Sequence, residues 1–193
     1  MERKLNSKES IEQYLLESGQ LVIKSSSLST EIAQISEILI AAIKAGNKIL
    51  WCGNGGSAAD AQHLAAELVG RYKLNRKAIA SIALTTDTSI LTAVANDFGY
   101  NLVFARQIEA IGVKGDVLVA LTTSGKSTSI LNGLLSASAR GIHTVLMTGK
   151  SAPQNLANYE VRIDSERTEM IQQCHTAIGH IICELVEENC AEI

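Results

Sequence analysis

The chain is 193 residues long, 46% hydrophobic and 19% charged, with 14 glycines and one proline. That length gives one domain with room for an appended element, and that composition excludes a disordered or collagen-like chain. With 17 Lys and Arg against 20 Asp and Glu the formal charge is −3, so no global basic surface exists to follow a phosphate backbone and nucleic-acid binding is disfavoured as the main activity.

The first 46 residues read as two helices. Ile32, Ile35, Leu39 and Ile43 recur at helical spacing and share one face, while the Ser and Thr residues at 25–30 break the pattern and offer caps. Gly46 stands where a helix stops. The longest wholly apolar run, Ile38 to Ile43, is too short to cross a bilayer, and the opening MERKLNSKES lacks the apolar stretch of a secretory signal.

Five strand-like runs follow: Lys48 to Cys52, Ser81 to Thr85, Asp116 to Leu121, His143 to Met147 and Glu160 to Ile163. Several are apolar almost throughout, as parallel strands covered on both faces are, and helical segments separate the first four. The alternation predicts an α/β layered sheet, with ligands beyond the carboxyl ends of the strands at a switch in strand order. The last ~25 residues read as a helix whose Ile171, Cys174, Ile178, Ile181 and Leu185 form a packing seam. Cys52, Cys174, Cys183 and Cys190 form no CxxC pair, which leaves reduced thiols in a cytoplasmic protein as the expected state.

Two loops suit an anion. After the third strand, Thr122-Thr123-Ser124-Gly125-Lys126-Ser127 sets hydroxyls beside the free N–H groups of a helix start. It is not a P-loop, because Ala120 stands where that motif needs glycine. A hydroxyl-rich helix cap, with Ser127 as the capping residue, is the alternative reading. After the first strand, Cys52-Gly53-Asn54-Gly55-Gly56-Ser57 permits a tight turn, with Ser57 capping the next helix and Asp60 as its reciprocal partner. On that helix His63 and Glu67 are four apart and share a face, a pairing suited to a zinc-like cation or to an ordinary polar contact. The last helix offers Gln172, His175 and His180; Gln172 and His180 are about 12 Å apart along the axis, and spacing alone does not choose between the histidines.

The strings CGNGGSAADAQHLAAELVGRY, ALTTDTS, ANDFGY, LTTSGKS and IQQCHTAIGH, in this order, resemble the phosphoheptose isomerases, SIS-domain enzymes that convert sedoheptulose 7-phosphate to a heptose 7-phosphate. The likeness runs from about Lys48 to Leu185. It implies a flavodoxin-like five-stranded parallel sheet, a helical segment over 1–46 packing on the core and on neighbouring subunits, and an SIS domain over 47–193. It also implies a homotetramer with sites at subunit interfaces, and one zinc per subunit on the positions matching His63, Glu67, Gln172 and His180. Substrate contacts would fall on Asn54, Gly55, Gly56, Ser57, Glu67, Asn96, Asp97, Thr122, Thr123, Ser124, Ser127 and Gln172. Glu67 and His180 would be the catalytic base and acid. No nucleic acid and no membrane are implied as partners. Met170 and Gln173 depart from the family's usual arginine and glutamate, and Thr122 keeps a hydroxyl where serine is common. A binding protein of the replication-initiator-associating type, on the same fold, lacks the acidic residue and the histidine found here as Glu67 and His180. An isomerase of another sugar phosphate is a further alternative.

Overall fold

The structure is a computed structural model and describes residues 7–192. Residues 1–6 of the N-terminal segment and residue 193 lie outside the described residues, so the reading of MERKLNSKES falls mostly beyond them.

Two helices come first, α1 (Lys8–Lys24) and α2 (Ser29–Lys44), joined by a 3₁₀ turn over Ser25–Leu28. The expected break is there, but the hydroxyls do not cap α2, whose N-cap is Leu28. Ser25 and Ser27 instead donate back to Leu21 and Lys24 carbonyls, so helical winding carries through the serines. Beyond α2 the elements are β1 (Ile49–Gly53), α3 (Gly56–Val69), β2 (Ser81–Ala83), α4 (Thr88–Phe98), α5 (Val103–Ile111), β3 (Val117–Thr122), α6 (Thr128–Ala139), β4 (His143–Gly149), β5 (Tyr159–Ile163) and α7 (Thr168–Cys190).

All five strands are parallel, in the order β2-β1-β3-β4-β5, which is the flavodoxin-like order expected. The chain reverses direction across the sheet between β1 and β3, so the loops leaving those two strands face a common crevice. Every residue of β1 and β3 is buried, because helices cover both faces. Ile49, Trp51, Val117, Val119 and Leu121 point to the layer made by α2, α3 and α7. Leu50, Cys52, Leu118 and Ala120 point to the layer of α5 and α6. Trp51 is fully buried and donates its indole N–H to Ser81 Oγ at 2.8 Å, a core role. The four cysteines are buried and unpaired, and burial pushes the Cys52 and Cys183 thiols up to about 12.

The seam of α7 departs from expectation. Ile171, Cys174 and Ile178 are buried, but the stripe then shifts to Ile182, Cys183 and Val186, and Ile181 is 47% exposed. Beyond Ile178 the buried face itself turns toward α3 and the segment after it, where Gly179 and Cys183 meet Leu64 and Glu187 meets Tyr72, so Ile181 and Leu185 fall off its edge. They line an apolar groove of about 510 Å³ against Val22, Ile23, Ile32 and Ala33.

Candidate functional site

The crevice is built first by glycines. Gly53 lies so close to Ser57 that any Cβ would overlap its carbonyl, and Gly55 holds φ +58, a left-handed conformation that lets the chain turn sharply from β1 into α3. The helix therefore starts at Gly56 with Gly55 as N-cap, and Ser57 is a buried first-turn residue, not the cap. Its expected partner Asp60 is taken elsewhere: Asp60 Oδ1 accepts from Thr176 Oγ1 of α7 at 2.9 Å. Ser127 does occupy the N-cap position of α6, yet its side chain makes no capping bond. Its Oγ instead accepts from Asn54 Nδ2 at 2.8 Å.

A cavity of about 320 Å³ opens between these loops, lined by Asn54, Gly55, Gly56, Ser57, Thr122, Thr123, Ser124 and Ser127 together with Thr168 and Gln172. The N-termini of α3, α6 and α7 meet there. Their partial positive charge and the hydroxyls suit an anion, with no Lys or Arg in the lining. Asn54 is braced on both sides, since its Oδ1 also accepts from Tyr100 Oη at 2.8 Å. Sequence reading missed Tyr100 and Thr168. For Thr168 a signal existed, a hydroxyl one turn before Gln172 on the same helix face. Asn96 and Asp97 do not line this cavity; they are exposed on the last turn of α4, bonded to each other at 2.7 Å.

A second cluster lies further along the same two helices. α3 and α7 run side by side in parallel. Gly56 lies against Gln172, Asp60 against Thr176, and Leu64 against Gly179. A Cβ on Gly179 would sit 2.5 Å from Leu64 Cδ1, so glycine is what allows the close approach. One turn on, His63 Nε2 and His180 Nε2 are 2.7 Å apart, and Glu67 Oε1 is 3.6 Å from His63 Nε2. The three donors lie within 4.8 Å of one another. Two imidazole nitrogens and a carboxylate oxygen converging on one point form a set that a zinc-like cation takes. Gln172, expected with them, stands eight residues back on α7 and lines the anion cavity. Burial pushes the Asp60 carboxyl above its usual range, partly offset by the Thr176 hydroxyl and by the neighbouring His63.

The other histidine on α7, His175, is fully buried, and its ring nitrogens make no well-formed hydrogen bond, the Thr148 backbone being a polar neighbour that only partly offsets burial. Burial pushes its pKa down to about 4, so it is a neutral core ring. The two departures have structural homes. Met170 is buried, and Gln173 Oε1 accepts from Ser18 on α1.

A parallel sheet in this order, with a hydroxyl-lined crevice at its switch point, places the chain among the flavodoxin-like α/β proteins, and a family model described as the SIS domain matches residues 13–149. A phosphoheptose isomerase of Akkermansia muciniphila is 53% identical over 163 residues, 83% of this chain and 86% of that protein. Among solved structures, a phosphoheptose isomerase from Francisella tularensis superposes with TM-score 0.91 at 33% identity, covering 95% of this chain and 100% of that one. The phosphoheptose isomerase from Neisseria gonorrhoeae gives 0.87 at 34%, covering 94% and 98%. The chain belongs to the phosphoheptose isomerase family of SIS-domain proteins.

Proposed function

We propose that this protein is the isomerase that converts sedoheptulose 7-phosphate to D-glycero-D-manno-heptose 7-phosphate, in a cytoplasmic route to nucleotide-activated heptose. One observation carries the reading. The anion cavity at Gly56 and the His63–Glu67–His180 cluster lie on the same helix pair, seven residues apart on α3, about 10 Å along its axis. An extended seven-carbon chain with a terminal phosphate has a span of that order, so the anion anchors at one end and the carbonyl end meets the cluster.

In this reading the phosphate rests on the hydroxyls of Ser57, Thr122, Thr123, Ser124 and Ser127 and on the helix N-termini. Asn54, Gly55, Gly56 and Gln172 hold the sugar, while Asn96 and Asp97, outside the cavity on α4, are assigned to its hydroxyls by the family resemblance alone. Fixing the far end orients the reacting carbons. The exchange moves one proton between adjacent carbons and another between their oxygens. Glu67 is the base for the C–H proton, and His180 exchanges the oxygen-bound proton. His63, Glu67 and His180 would hold zinc, which supplies, when bound, a Lewis acid for the carbonyl oxygen. Glu67 has two oxygens and can serve both roles at once. His180 presents Nε2 to the cluster, so a proton and a metal exclude each other at that atom: with zinc on Nε2 His180 would be a ligand, and it exchanges the proton only while that nitrogen is free of metal. Gln172 stands about 12 Å from His180 along α7, and we assign it to the sugar.

We propose a homotetramer as the working form, with a second copy covering the apolar groove beside α7 and the exposed residues of α1. Among the described residues no helix is long and apolar enough to cross a membrane. The non-catalytic binding-protein alternative is weakened by the presence of both Glu67 and His180 in one cluster. Purified protein incubated with sedoheptulose 7-phosphate separates the two. Turnover that chelator abolishes and zinc restores supports the isomerase. Tight binding of the sugar phosphate without turnover, with zinc supplied, contradicts it.

A further inference from the structure

The turn that follows α3 is held by a buried ion pair that no proton-transfer role requires. Glu187 lies on α7, seven residues beyond His180, and is 1% exposed. Its two oxygens accept from the backbone N–H groups of Tyr72 at 2.8 Å, Lys73 at 2.6 Å and Leu74 at 2.9 Å. Arg76, equally buried, places Nε 3.0 Å from Glu187 Oε1. The same guanidinium donates to the carbonyls of Glu67 at 3.0 Å and Leu68 at 2.8 Å, which closes the last turn of α3. One pair thus ties the turn that carries Glu67, the segment after it, and α7. Desolvating two such charges is costly, and losing one partner leaves the other buried alone. A surface turn has cheaper ways to end a helix.

The segment so fixed delivers an aromatic ring to the cluster. The Tyr72 ring stacks on the His180 imidazole, with centroids 5.5 Å apart and planes at 24°. His63 meets the same imidazole edge-on, at 5.0 Å and 76°. His180 is therefore bounded on one face by Tyr72, with its Nε2 turned to His63. We propose that Tyr72 is a positioning residue for His180, its ring held by the Glu187–Arg76 pair so that the imidazole keeps the plane that points Nε2 at His63 and Glu67. The proposal rests on the reading that His180 belongs to the metal and proton-transfer cluster. The contact is through the ring face, so it is phenylalanine-compatible. The Lys73 ammonium, 5.3 Å from the Tyr72 ring and paired with Glu184, is exposed and adds little.

The test uses Tyr72→Ala, Tyr72→Phe and His180→Ala, each first shown by thermal melting to be folded. Zinc affinity is read by competition with a chromophoric chelator, and the His180 ring protons are read by NMR in the metal-free protein. Tyr72→Ala should bind zinc about 10-fold more weakly, the size seen for groups that orient a ligand, and should lose the ring-current shift at His180. Its kcat should fall by about 10-fold or more with KM changed far less, because a misdirected group costs rate more than binding. Tyr72→Phe should restore all three readouts. Wild-type zinc affinity and a His180 resonance that keeps its wild-type position in Tyr72→Ala, while His180→Ala loses zinc and turnover, would overturn the positioning role alone. A Phe variant as impaired as the Ala variant would overturn the stacking account. Wild-type zinc affinity and turnover in His180→Ala would overturn the underlying reading and this inference with it.

Discussion

Two buried ionisable residues on α7 give the protein separable acid sensitivities. His175 is held neutral, with its pKa pushed from 6.5 down to about 4, because burial opposes the charged ring. Its folded pKa lies below its unfolded one, so the stability is complete above about pH 6.5 and is lost as pH falls toward 4. The full loss is about 3 kcal/mol. Urea melts across that range should show a shallower decline for His175→Leu than for wild type; an identical slope would mean that the imidazole titrates normally. Glu187 behaves differently. Burial pushes its carboxyl up, but three backbone N–H groups and Arg76 outweigh burial and leave it below the usual range. Its contribution is intact above the ordinary carboxylate range and is lost as pH falls through the lowered folded value. At the anion loop, Ser124 Oγ accepts from the Lys126 N–H at 3.2 Å and lines the cavity. Ser124→Ala should raise KM for the sugar phosphate roughly 10-fold, the loss of one bond to a charged group. Binding of the free sugar should scarcely change, and equal weakening of both would remove the phosphate from this loop.

At the scale of elements, the parallel contact of α3 and α7 brings chemistry 117 residues apart in sequence to 2.7 Å. Gly179 sets that spacing. Gly179→Ala would drive a methyl group to 2.5 Å from Cδ1 of the fully buried Leu64, so that side chain must move. The expected cost is about 1–3 kcal/mol of stability, together with weaker zinc binding, since His63 and His180 move apart. Chemical denaturation and chelator competition on the same variant measure both, and unchanged values would show that the helices have slack. Elements were also what the sequence displayed best. Apolar runs such as Val117 to Leu121 announce buried strands with no knowledge of their neighbours, and the His63/Glu67 spacing is local. The caps were misread because their competitors are distant. Asp60 is recruited by Thr176, and Ser127 by Asn54, across 116 and 73 residues respectively. The α7 seam departs from its heptad because the second half of the helix turns its buried face to Leu64 and the segment after α3, a contact between segments far apart in sequence. Tyr72 against His180 was invisible, since it depends on Glu187 pinning a turn that has no pattern of its own.

At the scale of the molecule, α1 is an amphipathic helix without a buried residue. Ile23 is 72% and Leu16 is 64% exposed, and Ile11, Leu15 and Val22 add to the same apolar surface. Apolar surface of this extent, continuous with the groove on α7, is what a subunit contact covers. Ile23→Asp would place a charge in the proposed contact and should yield smaller species by light scattering on a sizing column, whereas an assembly unchanged by the substitution would place any interface elsewhere. The helix pair α3 and α7 joins an anion crevice to the proposed metal site at His63, Glu67 and His180. Diffraction from crystals grown with zinc and a heptose 7-phosphate, collected at the zinc absorption edge, tests it most directly. An anomalous peak should lie within bonding distance of His63, Glu67 and His180, with the phosphate seated among Ser57, Ser124 and Ser127. A peak elsewhere, or a sugar lying away from the line joining the two, would contradict it.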